Sequence, residues 1–166
     1  MRFSTNELER GWLQGFKVED LLRPDLADRW GPAGAQATTD LLIRCRDLCR
    51  AQGARFVVLM VPLKEQVYES AWEAALEYNG VRPGPAAVDR DAPNRIVRRL
   101  AAAAGIELVD VLDLLRDRAA SEAFYYQVDP HLTAAGHRVV AEALADHLDK
   151  TAPVGAGRAP GRSTAK

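Results

Sequence analysis

Residues 55–62 read RFVVLMVP, and residues 106–110 read IELVD. The first is a short unbroken apolar run, rich in β-branched residues and closed by a proline. That is the pattern of a strand covered on both faces in the middle of a parallel sheet. Residues Ile106 to Val109 make a second, shorter strand, with Asp110 at its carboxyl end.

Outward from these strands the period changes to that of helices. Thr39 or Asp40 can cap a helix whose apolar residues Leu41, Leu42, Cys45, Leu48 and Cys49 precede a stop at Gly53. Lys64 to Tyr78 carries Val67, Tyr68, Ala71, Trp72, Ala75 and Leu76 in one stripe and ends at Asn79-Gly80. After a Pro/Gly loop, Asp89 or Asp91 caps a helix with Pro93 in its first turn and Ile96, Val97, Leu100 and Ala104 on its inner face, until Gly105. A further helix runs from Leu112 to Ala120. A last one runs from Thr133 to about Leu148, burying Val140, Ala143, Leu144 and Leu148. Strands alternating with helices define an α/β protein with right-handed crossovers on a parallel sheet. Two readable strands cannot cover an FVVLMV run on both sides, so the strand count is that of part of a larger layer.

Three regions follow: residues 1–38, where Gly15, Pro24 and Gly31-Pro32-Ala33-Gly34 break short helix-like pieces; an α/β region over 39–150; and a Gly, Pro, Ala and basic tail over 151–166, expected to be disordered. The 166-residue chain has 22 Lys plus Arg, 23 Asp plus Glu and 48% hydrophobic residues, an ordinary globular balance. Its net charge of −1 provides no basic face for nucleic acid or an anionic membrane. The longest apolar run falls far short of the ~20 residues of a spanning helix, and MRFSTNELER lacks the apolar stretch of a secretory signal. Cys45 and Cys49 lie four apart on one helical face, poorly placed for a disulfide and without neighbouring metal ligands, and read as two small buried residues.

The densest polar cluster is YYQVDPHLTAAGH, residues 125–137, in a loop entering the last helix beyond the second strand. In open α/β sheets the ligand crevice forms at the carboxyl ends of the strands. A carboxylate two residues from a histidine can accept a hydrogen bond from one ring nitrogen and stabilise the imidazolium, leaving the other nitrogen as a general base. The same residues also read structurally, with Asp129-Pro130 as a turn opening and Thr133 as a helix N-cap. Asp129, His131 and His137 could form a two-His-one-carboxylate metal site, but they crowd into nine positions of a loop and helix start. No metal or cofactor is therefore expected. His137 reads as packed or capping, and His147 as partly exposed near a helix carboxyl end. Lys64, just past the first strand, could face the crevice and hold an anionic group of a substrate.

The segment FYYQVDPHLTAAGHRVVAEAL resembles the last conserved block of the SGNH, or GDSL, hydrolases. GARFVVLMVPLKEQVYESAW is similar to a strand and helix start of members related to polysaccharide O-acetylation, and GIELVDVLDLL to a penultimate strand ending in Asp. These stretches span residues 40–149 in the family's order. The resemblance implies a three-layer, flavodoxin-like α/β fold around a parallel sheet, present here as its carboxyl-terminal half. It implies His131 as general base and Asp129 as its orienting carboxylate, one residue apart rather than the commoner two. The family's Gly-Asp-Ser nucleophile turn and its oxyanion Gly and Asn have no counterpart here. Ser4, Ser70, Ser121 and Ser163 lie in no such turn, and Asn6, Asn79 and Asn94 follow no readable strand.

The expectation is therefore an ester hydrolase or O-acyltransferase region, acting on an acylated small molecule or carbohydrate only when completed by an amino-terminal half. The alternative is a non-catalytic interaction module that covers its sheet edge with a second copy of itself or another chain. Members of the O-acetylation type often work outside the cytoplasm, so the resemblance implies an extracytoplasmic location that no export signal in the chain supports.

Overall fold

Strand β1 (Val57–Met60) pairs in parallel with β2 (Glu107–Asp110), Val57 lying opposite Glu107 and Met60 opposite Asp110. The computed structural model describes residues 31–78 and 89–151. Readings that fall on residues 1–30, 79–88 and 152–166, including the Asn79-Gly80 stop and the basic tail, lie outside the described residues. Among the described residues six helices accompany the strands: α1 (Gly31–Ala51), α2 (Lys64–Val67), α3 (Glu69–Tyr78), α4 (Ala92–Ala104), α5 (Leu112–Arg118) and α6 (Ala134–Lys150).

The two strands are separated in sequence by α2, α3 and α4, which is the crossover that parallel pairing requires. Successive strand residues point to opposite faces. Val57, Leu59 and Val109 join a core built with Tyr68 and Ala71 of the α2–α3 region, Leu112 and Leu115 of α5, and Val139 and Val140 of α6. On the other face α4 packs against β2, and Asn94 of α4 bonds Asp110, whose side chain points opposite to that of Val109. Helix α1 packs outside α4. Helices thus cover both faces of a small parallel sheet, the α/β class expected.

Several local readings shift. Helix α1 starts at Gly31 rather than Thr39, because Pro32 in a first turn lacks only an N–H that would be orphaned there, and the alanines that follow favour helix. Cys45, expected to be buried, is exposed, and Leu41 and Leu48 on the same side are 60% and 68% exposed, so this stripe of α1 is not the one packed on α4. Gly53 and Gly105 take the left-handed conformation at the ends of α1 and α4, as their positions imply.

The expected single helix over Lys64–Tyr78 is two, broken at Tyr68, whose backbone is extended. All four residues of β1 are half-buried rather than buried on both faces, since β1 has one strand neighbour among the described residues. In α6 the buried positions are Gly136, Val139 and Val140; Ala143 and Leu144 pack at the core's edge and Leu148 is exposed. No helix among the described residues is long and apolar enough to cross a membrane.

Candidate active site

The loop from Phe124 to Thr133 closes on itself at the carboxyl end of the sheet. Tyr125 and Leu132 form an isolated antiparallel bridge. The Tyr126 N–H donates to the His131 carbonyl at 3.2 Å and the Thr133 N–H to the Phe124 carbonyl at 2.8 Å. Phe124 and Tyr125 are buried, so the loop is pinned by two aromatic anchors at its start. Thr133 caps α6, its hydroxyl oxygen accepting from the Gly136 N–H at 3.2 Å, as its residue type and position lead one to expect.

Between these pinned ends lie Asp129 and His131. The Asp129 carboxylate accepts from the His131 backbone N–H at 2.7 Å, and the same oxygen bonds His131 Nδ1. The His131 N–H beside Asp129, with its ring and the nearby Lys64 charge adding to it, holds the Asp129 carboxyl below its ordinary range. Asp129 is thus ionised at neutral pH and accepts at Nδ1, which fixes the ring proton on that nitrogen. The His131 side chain is 71% exposed.

Lys64, the first residue of α2, comes to the same place from the other side. It is 8% exposed, and its Nζ donates to the Gln127 carbonyl at 3.1 Å. The structure therefore brings together all three residues singled out in the sequence, although they come from a helix start and a distant loop.

The remaining candidates lie elsewhere. His137 is exposed in the first turn of α6. His147 bonds Glu107 through Nε2 at 2.7 Å, at the amino end of β2 and away from the loop. Ser70 lies in α3, and the Ser121 hydroxyl donates to the Arg118 carbonyl at 2.9 Å. Among the described residues no three His, Cys, Asp or Glu side chains gather to hold a metal ion.

Asn94, which follows no readable strand, reaches the strand ends through α4. It is 1% exposed, donates to both Asp110 carboxylate oxygens at 2.9 Å, and accepts from Gln66 Nε2 at 2.7 Å. Gln66 Nε2 also donates to the Arg90 carbonyl at 2.8 Å, and Gln66 Oε1 accepts from the Leu63 N–H at 3.0 Å. Asp110 accepts further from Arg98 at 2.7 Å and from the Leu112 N–H at 3.0 Å. This buried network at the strand ends escaped the sequence reading because its members lie 16 and 28 positions apart.

The described residues thus set a carboxylate-bonded histidine at the carboxyl end of a small α/β layer. A family model described as an SGNH hydrolase-like domain, acetyltransferase AlgX, matches residues 9–165, and the chain belongs to this family. It is thus a domain of the hydrolase or acetyltransferase kind. No curated protein and no solved structure matches the chain.

Proposed function

We propose that residues 39–150 are the Asp/His-bearing α/β region of an O-acyl hydrolase or O-acyltransferase, with His131 as general base and Asp129 as the carboxylate that orients it. Residues 1–38 and 151–166 flank that region. The observation that carries the reading is the Asp129 bond to Nδ1 of a largely exposed ring at the carboxyl end of the sheet. With Nδ1 engaged, Nε2 is the nitrogen that takes a proton. The proton would come from a nucleophilic hydroxyl as its oxygen attacks the ester carbonyl. Imidazolium Nε2 would then return it to the departing alcohol as the carbon–oxygen ester bond breaks.

Neither Ser70 nor Ser121 stands in a strand-to-helix turn that would expose a nucleophile, so we place that hydroxyl and the oxyanion donors outside this region, on an adjoining segment or another chain. The region alone is accordingly proposed to be inactive, and its substrate when completed to be an acylated small molecule or carbohydrate. Aryl acetate turnover tests this. The region as it stands in this chain should show no turnover that depends on His131, whereas turnover restored by an adjoining segment or a partner chain should fall at least a hundredfold on His131→Ala. Restored turnover unchanged by the substitution would remove His131 from the reaction. A fluorophosphonate adduct on Ser70 or Ser121 of the folded chain would overturn the region's inactivity.

A second reading is a self-associating module. It is favoured by β1 and β2 each having a single strand neighbour among the described residues, together with the exposed Leu41 and Leu48. It predicts a dimer in sedimentation equilibrium at micromolar concentration; a stable folded monomer would dismiss it.

A further inference from the structure

Lys64 stands where an open crevice would be expected, yet its side chain is almost wholly enclosed. Taking an ammonium out of water is costly unless its donors are met. Here the Gln127 carbonyl, two residues before Asp129, accepts from it at 3.1 Å. A second link joins the same two segments: the Tyr125 hydroxyl donates to the carbonyl of Pro62 from within the core. The receiving turn is itself held rigid, because Gln66 accepts from the Leu63 N–H and donates to the Arg90 carbonyl and to Asn94. Two bonds thus cross from the Pro62–Gln66 turn to the base's loop, one on each side of Tyr126.

We infer that Lys64 is a positioning residue: with Tyr125 it latches the Gln127–His131 loop to the carboxyl end of β1 and so sets where Asp129 holds His131. This differs from the anion-holding role its position in sequence suggested, since its ammonium is turned to a backbone carbonyl inside the protein. It rests on the proposed role of Asp129 and His131 but is testable without any turnover.

The latch acts on the backbone of the loop, and so on the His131 N–H that Asp129 accepts. Lys64→Met keeps the length of the side chain and removes its donors and charge. In the folded variant, judged by near-ultraviolet circular dichroism, the His131 amide should exchange with solvent at least tenfold faster by NMR. The Asp129 carboxyl should titrate at higher pH than in the parent, since loss of the cation and loss of loop order act in the same direction. Lys64→Arg, which keeps charge and donors, should restore most of the protection. Tyr125→Phe should loosen the same amide through the second link.

Unchanged exchange and titration in folded Lys64→Met would overturn the inference. In the parent chain, a Lys64 ammonium signal slow to exchange with water is expected. A Lys64 ammonium in fast exchange would overturn the inference even where the methionine variant fails to fold. A shift of that signal on titration with acetate, with the loop unmoved, would return Lys64 to anion binding. The latch and the catalytic reading fail separately: intact latching with restored turnover indifferent to His131→Ala removes only the catalytic reading.

Discussion

A Cβ on Gly136 would fall inside contact distance of the Phe124 carbonyl oxygen and 2.8 Å from Leu132 Cδ2. The first of these neighbours is backbone, already engaged by the Thr133 N–H, and cannot swing aside. Gly136 is therefore required by space, at the point where α6 starts against the loop of the candidate base. Gly136→Ala is expected to destabilise the protein by about 1–3 kcal/mol through overpacking, read as a lower urea midpoint at unchanged slope. The Asp129–His131 bond was legible because both partners lie within three residues and meet without help from the rest of the chain. The Lys64 contact was not, since 63 positions separate it from Gln127.

At the scale of elements, the break between α2 and α3 has a core reason. Extended backbone at Tyr68 turns its ring into the core, 6.3 Å from Tyr125 in an edge-on arrangement, and its hydroxyl accepts from the Phe124 N–H at 2.8 Å. Helical periodicity over Lys64–Tyr78 could not reveal this, because the partner lies 56 residues on. The start of α4 carries the corresponding polar joint, Asn94 between Gln66 and Asp110. Asn94→Ala should cost about 1–3 kcal/mol, since it strips buried groups of partners. Asn94→Asp should cost more at pH 7, because it sets a second carboxylate against Asp110. Denaturant melts of the two variants at pH 7 would make the comparison.

Over the whole molecule, titratable groups stabilise the fold at neutral pH from both ends of the scale. Arg95 beside Asp89, Arg116 beside Asp91, Arg55 beside Glu107 and the His131 N–H beside Asp129 hold these carboxyls below their ordinary range. A lowered folded value contributes stability above the unfolded value, near 4, that is lost as pH falls. Burial raises the Tyr68 and Tyr125 phenols, so their contribution is complete below about 10 and is lost as pH rises beyond it. A plot of Tm against pH should thus be flat near neutrality, fall below about pH 4 and fall again above about pH 10; Tyr125→Phe should weaken the alkaline fall. The sequence by itself determined the α/β class, both strands, most helices and the Asp129-x-His131 pair, since these depend on periodicity and on neighbours along the chain. Only the tertiary structure decided that β1 is half-covered, that Tyr68 divides a helix, that Cys45 faces outward, that Lys64 is enclosed against Gln127, and that Asn94 stands at the strand ends. Those outcomes depend on which distant surfaces pack together and which buried polar groups must find partners, and no local pattern encodes either.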